Sequence, residues 1–115
     1  MLFRPRTGLS AEDATALGDA FARALNDIPF VRRARVGTRG PIGREDEQLM
    51  AVDYEYAAVI EFDDVAGLKG YLEHAAHEEL GRRFFESIDA GLVYDFEMMA
   101  GADGLADLLE RRGGA

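Results

Sequence analysis

The chain has 115 residues, and a domain of this length buries roughly two thirds of the surface of its unfolded chain, which is enough for one hydrophobic core. It contains no cysteine, so disulfides, thiolate metal ligands and cysteine nucleophiles are excluded. Its formal net charge of −9 argues against non-specific binding to nucleic acid, which depends on a basic surface.

Neither a targeting segment nor a membrane span is evident in the sequence. Residues 1–6 lack the apolar segment of a secretory signal. The longest mainly apolar run, residues 56–62, is interrupted by Glu61 and is far too short to cross a bilayer. We therefore expect a cytoplasmic protein without membrane association.

The first predicted elements are a short strand and a long helix. Residues 1–4 favour a strand, which Pro5 ends. Ser10 is a typical helix N-cap, with the acidic Asp13 three residues later, and Pro29 ends the helix. The apolar stripe of this helix, at helical spacing, comprises Ala14, Leu17, Phe21, Ala24, Leu25 and Ile28.

Two strands and a loop are predicted next. Residues 30–36 alternate apolar side chains with arginines, which is typical of a strand. Residues 37–48 contain glycines, a proline and the acidic run 45–47, and so predict a solvated loop. Residues 51–62 show the clearest alternation in the chain. One face of this predicted strand carries Tyr54, Tyr56, Ala58, Ile60 and Phe62.

The second half of the chain predicts a helical region, a strand and a tail. Asp63 or Asp64 caps a helix, and helical spacing resumes after a corner at residues 74–77. Gly91 is predicted to end this helical region, and residues 92–99 are predicted to form the last strand. Apolar residues in the tail favour a short helix there, at Leu105, Leu108 and Leu109.

The predicted order of elements is β-α-β-β-α-β, the pattern of ferredoxin-like folds. We predict an α+β protomer with a four-stranded antiparallel sheet over residues 1–100 and a C-terminal tail over residues 101–115. Helices on one face of an open sheet leave its other face uncovered, and both faces of the strand predicted over residues 51–62 carry apolar side chains. A homodimer formed through the sheet face is therefore expected.

The corner and the last strand resemble a known family. The motifs concerned are Phe62-Asp63-Asp64, Tyr71, His74-Ala75-Ala76-His77 and Val93-Tyr94-Asp95-Phe96-Glu97. They are similar to those of the stress-responsive A/B barrel (Dabb) family, and the resemblance extends over residues 2–98. It implies a dimeric α+β barrel in which two ferredoxin-like protomers join their sheets.

The resemblance also implies a chemistry. Proteins of the olivetolic acid cyclase type are cofactor-free aldol cyclases, and their catalytic tyrosine and histidine match Tyr71 and His77. A polyketide cyclase or lyase of this kind would need no metal or organic cofactor. The chain differs from these proteins at several positions. Ala75 stands where the family has proline, and Tyr56 stands where the cyclase has a histidine. A further histidine of the first strand has no counterpart.

Tyr71 and His77 are six residues apart, about 240° around a continuous helix, so they converge only if the helix breaks near His74. Two alanines follow His74 and favour helix, and the sequence leaves the break open. With a break, His77 is a candidate general base and Tyr71 a candidate proton donor. In the non-catalytic alternative, a homodimeric stress-associated protein, His77 bonds a backbone carbonyl and Tyr71 packs in the core.

An apolar pocket between sheet and helices is expected to hold a small apolar or aromatic molecule. Tyr56, His74 and Phe84 are the predicted ligand-binding residues, and Phe21 and Phe85 are expected to close the pocket.

Two further functions have weaker support. His74 and His77 have the i, i+3 spacing of paired metal ligands, but no third ligand is evident, so no metal site is predicted. A cofactor-free monooxygenase on the same barrel finds no support, because the chain has no tryptophan.

Overall fold

The computed structural model describes residues 1–40, 42–99 and 101–113. This part of the chain contains four strands, four α-helices and a 3₁₀ helix at Glu45–Leu49. The elements are β1 (Leu2–Pro5), α1 (Ala11–Asp27), β2 (Arg33–Thr38), β3 (Tyr56–Glu61), α2 (Val65–Glu73), α3 (Ala75–Ser87), β4 (Ile88–Leu92) and α4 (Asp103–Gly113).

The four strands form one antiparallel sheet with the order β2-β3-β1-β4. In the register of the sheet, Leu2 lies between Ala57 of β3 and Leu92 of β4. Thr38, at the end of β2, pairs with Tyr56 at the start of β3. The ferredoxin-like α+β fold predicted from the order of elements is thus confirmed.

Helix α1 forms where its local signals predict it. The Ser10 hydroxyl accepts a hydrogen bond from the backbone N–H of Asp13 at 3.0 Å, which satisfies one of the free donors of the first turn. The helix ends at Asp27, two residues before Pro29. Its small side chains allow close packing against α3, and its buried residues are Ala20 and Ala24.

The core lies between α1, α3 and the sheet. Its buried members are Ala20, Ala24, Ile28, Tyr71 and Leu80. Partly buried side chains from the sheet and the helices pack around them, including Leu17, Phe21, Ile60, Phe62 and Leu68. Full burial of a large apolar side chain such as Ile28 or Leu80 contributes roughly 1.5–3 kcal/mol.

Strands β2 and β3 differ from their predicted bounds. Strand β2 begins at Arg33 and not at Phe30, whose ring lies instead against Gly70 of α2. Strand β3 begins at Tyr56, so Tyr54 lies outside it and the strand has half its predicted length. Its pairing with both neighbours ends at Tyr56, which lies opposite Thr38 of β2 and Phe3 of β1.

The predicted loop over residues 37–48 is partly regular. Its first two residues, 37 and 38, belong to β2, and the acidic run begins the 3₁₀ helix Glu45–Leu49. A Glu47 carboxylate oxygen accepts a hydrogen bond from the N–H of Ile42 at 2.9 Å, and this bond lowers the pKa of Glu47.

The last strand is also displaced. It is Ile88–Leu92, whereas residues 92–99 were expected to form it, and Gly91 lies inside this strand and does not end α3. Among the described residues, strand β4 pairs with β1 alone, and this pairing ends where Leu92 meets Leu2. Residues 93–99, which we call the arm, have no strand partner within the same part of the chain.

The arm and α4 extend the outline of the molecule. The short helix predicted in the tail is present as α4. The radius of gyration is 16.7 Å, whereas a compact domain of this length has about 13 Å. A large part of the chain therefore projects from the ferredoxin-like body.

Candidate functional site

The helical region breaks at His74. Helix α2 ends at Glu73 and α3 begins at Ala75, with extended backbone angles of φ −72° and ψ 141° at His74 between them. The Nδ1 atom of His74 accepts a hydrogen bond from the N–H of Ala76 at 3.0 Å. The imidazole thus acts as the N-cap of α3, and the break forms without a proline.

The break brings Tyr71 and His77 together. Their ring centroids are 4.7 Å apart with the planes at 59°, and the ring centroid of Phe62 lies 4.9 Å from that of Tyr71. Tyr71 is buried, with 6% of its surface exposed, whereas His77 is partly exposed. The two residues predicted as an acid/base pair are therefore neighbours in the structure.

The environment of Tyr71 fixes its protonation state. Burial raises the pKa of its hydroxyl above the ordinary value of 10.0, and the negative charge of Asp95 raises this pKa further. The phenol stays protonated at neutral pH, as an unperturbed tyrosine does, so it can donate a hydrogen bond, but the raised pKa makes it a weaker acid than an exposed tyrosine. Asp95 was not predicted as a site residue, because it belongs to a motif that otherwise predicts a strand.

A cavity of about 410 Å³ opens between the sheet and helices α1 and α3. Two of the three predicted ligand-binding residues, Tyr56 and Phe84, line it, and His74 does not. The full lining consists of Met1, Phe3, Leu17, Gly18, Phe21, Val36, Gly37, Thr38, Tyr56, Ala57, Ala58, Leu80 and Phe84. We call this cavity the apolar pocket.

Aromatic rings form one wall of the apolar pocket. Phe3 contacts Tyr56 at 5.7 Å and the edge of Phe84 at 5.3 Å between ring centroids. Phe21 lies in the wall as expected. Phe85, which was also expected to close the pocket, faces solvent with 72% of its surface exposed, because it lies one position from Phe84 and hence on another face of α3.

The apolar pocket and the Tyr71–His77 pair are adjacent but separate. Neither member of the pair lines the pocket. His77, Leu80 and Phe84 have the i, i+3, i+7 spacing of one helix face, and Leu80 belongs both to the pocket lining and to the core around Tyr71. His77 lies about 4.5 Å along the helix axis from Leu80.

A second cavity of about 320 Å³ adjoins the first and shares Thr38 and Tyr56 with it. It is polar: the Nη1 atom of Arg39 lies 2.5 Å from an Oδ1 oxygen of Asp53, and Glu55 lies beside them. These residues were missed in the sequence, since no motif marks them and only the pairing of β2 with β3 brings them together.

The described ranges contain neither a metal-binding cluster nor a helix that could span a membrane. Among residues 1–40, 42–99 and 101–113, no cluster of three or more His, Cys, Asp or Glu side chains has the arrangement of a metal site. None of the helices described has the length and apolar character that crossing a membrane requires.

Solved structures share the fold. The Arabidopsis thaliana protein At3g17210 matches with a TM-score of 0.70 and 23% identity, over 88% of this chain and 93% of that one. A dimeric ferredoxin-like protein of unknown function from Jannaschia sp. CCS1 matches with a TM-score of 0.62 and 23% identity, over 84% and 93%. A dimeric ferredoxin-like protein of unknown function from Thermobifida fusca has a TM-score of 0.56 and 20% identity, over 77% of each chain.

A comparison with curated proteins gave no significant match. The model of the stress-responsive A/B barrel domain, in contrast, matches residues 1–98, which include all four strands, the helix corner at His74 and the lining of the apolar pocket. The protein therefore belongs to the stress-responsive A/B barrel domain (Dabb) family.

Proposed function

We propose that this protein is a homodimer that binds a small apolar or aromatic molecule in the apolar pocket. The observation that carries the proposal is the pocket itself: a cavity of about 410 Å³ is within the range of small-molecule sites, roughly 300–1,000 Å³. Phenylalanine and leucine side chains line it, and Thr38 and Tyr56 place two hydroxyl-bearing side chains at one end. Such a lining favours an aromatic ring or an alkyl chain.

The exposed surface supports the homodimer. The chain exposes 8556 Å², whereas a folded monomer of 12.6 kDa exposes about 6,200 Å². The excess of about 2,300 Å² is larger than the roughly 800 Å² that each partner buries in a standard interface. Apolar side chains on the sheet face that points away from the helices contribute to this excess exposed surface, with Leu2 at 42% and Val59 at 51% exposure.

A cofactor-independent proton transfer is the second candidate function. In this reaction His77 takes a proton from a carbon next to a carbonyl, and Tyr71 donates a hydrogen bond to the enolate that forms. The helix break that places the two rings 4.7 Å apart favours it, and the Tyr71 phenol carries a hydroxyl that can donate a hydrogen bond. A cyclase or lyase would act in this way, on a substrate that reaches past Leu80 from the apolar pocket.

The alternative is a non-catalytic homodimer with structural histidines at the corner. The hydrogen bond from Ala76 to His74 supports this role for His74. Substitution of His77 distinguishes the proton-transfer enzyme from the non-catalytic homodimer. If His77 is catalytic, His77→Ala should abolish turnover of a polyketide-like substrate without lowering the melting temperature. Loss of melting temperature alone would indicate the structural role.

The binding proposal is tested by closing the pocket. Gly18 lines the pocket from α1, and a Cβ atom added there meets no atom within 4 Å, so Gly18→Leu adds a large apolar side chain at the pocket wall from an unobstructed Cβ position. Gly81 in α3 is equally unobstructed and lies outside the pocket lining, so Gly81→Leu is the matched control.

The probe is N-phenyl-1-naphthylamine, a neutral aromatic molecule that fluoresces when bound. We expect saturable binding to the wild type and to Gly81→Leu, and affinity at least tenfold weaker in Gly18→Leu. Equal affinity in both variants would contradict binding in this pocket.

A further inference from the structure

The corner between α2 and α3 is held by a hydrogen bond that only a neutral imidazole can accept. The Nδ1 atom of His74 lies 3.0 Å from the N–H of Ala76, and an N–H donor requires an acceptor nitrogen without a proton. His74 is therefore neutral when this bond forms, with its proton on Nε2. The usual N-caps, serine, threonine, asparagine and aspartate, keep their acceptor oxygen in mild acid, whereas a histidine N-cap titrates.

Protonation of His74 removes this bond. The imidazolium carries a proton on both nitrogens, so Nδ1 becomes a donor that faces another donor, the N–H of Ala76. The positive charge also lies at the N-terminal end of α3, where the helix dipole disfavours cations. Imidazoles gain this proton in the range between about pH 8 and pH 5. The cap is thus expected at neutral pH and is lost in mild acid.

Several titratable or charged side chains surround the corner, and within the described chain none of them accepts the N–H of Ala76 in place of His74. Glu79 is paired with Arg23 at 2.7 Å, and His77 carries the other imidazole of the chain. An experiment must therefore separate the titration of His74 from that of His77. The full set consists of Tyr71 and Glu73 of α2, His77, Glu78 and Glu79 of α3, Arg23 of α1 and Asp95 of the arm, whose charge acts on Tyr71.

Loss of the cap acts on the Tyr71–His77 pair through the position of the break. The extended backbone at His74 turns His77 towards Tyr71, with ring centroids 4.7 Å apart. Without the cap, the first turn of α3 either frays or joins α2 in a continuous helix, which the two alanines after His74 favour. In a continuous helix, Tyr71 and His77 are about 240° apart. Both alternatives separate the two rings.

We propose that His74 is a pH-sensitive positioning residue: its neutral imidazole holds the corner that joins Tyr71 and His77, and its protonation loosens that corner. The inference concerns the geometry of the pair, so it applies to a catalytic and to a structural pair alike. The corner then responds to mild acid through one side chain.

NMR titration of the wild type tests the bond directly. The ¹⁵N resonances of the imidazole distinguish the two tautomers, and we expect His74 to carry its proton on Nε2 at pH 8. Between pH 8 and pH 5 the amide proton of Ala76 should move upfield together with the imidazole resonances of His74. This movement should persist in His77→Gln, where His74 is the single imidazole. A proton on Nδ1 at pH 8, or an Ala76 amide that does not follow His74, would overturn the proposal.

His74→Asn is the matched control, because asparagine is a good N-cap whose acceptor oxygen does not titrate. Loss of one cap lowers the melting temperature of a domain of this size by about 4 °C. We expect the fall in melting temperature from pH 8 to pH 5 to be larger by about this amount in the wild type and in His77→Gln than in His74→Asn.

The ring contact provides a second comparison. Nuclear Overhauser contacts between Tyr71 and His77 should weaken by at least half at pH 5 in the wild type and persist in His74→Asn, in which His77 still titrates. Equal behaviour of the two proteins in both measurements would contradict a role for His74 protonation. The wild-type titration gives an answer even if a variant fails to fold.

Discussion

Replacing Phe84 with alanine is expected to destabilise the protein strongly, whereas the same change at Phe85 is not. Phe84 is 5% exposed and Phe85 is 72% exposed, although they are adjacent in α3. Removal of a buried phenylalanine side chain costs about 3–5 kcal/mol. Because one side of Phe84 already borders the apolar pocket, we expect the lower end of this range, about 3 kcal/mol.

The assay is urea unfolding followed by circular dichroism at equal protein concentrations. With a slope of about 1.5 kcal/mol per molar urea, a loss of 3 kcal/mol lowers the midpoint by about 2 M. Phe85→Ala should shift the midpoint by less than about 0.4 M, since surface substitutions change stability by about 0.5 kcal/mol or less. Equal shifts in the two variants would refute the assignment of Phe84 to the core and the pocket wall.

Two further outcomes follow from local geometry. Because the folded state raises the pKa of the Tyr71 hydroxyl, the protonated phenol contributes stability that is complete below pH 10 and is lost as the pH rises through the folded-state pKa. Phenolate absorbance should therefore show one late-titrating tyrosine, which is absent in Tyr71→Phe. Gly70→Ala should lower the melting temperature, because the new Cβ lies 2.4 Å from the Cε2 atom of Phe30. Gly81→Ala, whose Cβ meets no atom within 4 Å, should raise the melting temperature through the higher helix propensity of alanine. The opposite order of melting temperatures would contradict the packing of Phe30 on α2.

Elements with strong local signals could be predicted from the sequence. Helix α1 begins after its Ser10 cap and ends before Pro29, because the cap and the proline act within a few residues of their own position. Strand ends could not be predicted in this way. The arm has the composition of a strand, but β4 ends at Leu92 because β1, its one neighbour among the described residues, begins at Leu2.

The candidate site was predicted in part. Tyr71 and His77 are neighbours, as expected if the helix breaks near His74, and their catalytic role stays a prediction. The sequence left the break open, because it depends on the imidazole of His74 accepting a hydrogen bond from the N–H of Ala76, which helix propensity does not describe. The polar cavity at Arg39 could not be foreseen, since it depends on the register of two strands that are distant in the sequence.

Binding of a small apolar molecule between the sheet and helices α1 and α3 can be observed residue by residue by methyl NMR of the protein with N-phenyl-1-naphthylamine. We expect chemical shift changes and contacts from the probe at the methyl groups of Leu17, Val36 and Leu80, which line the apolar pocket. Contacts confined to Leu105 and Leu108 of α4, which are exposed and lie outside the pocket, would contradict it.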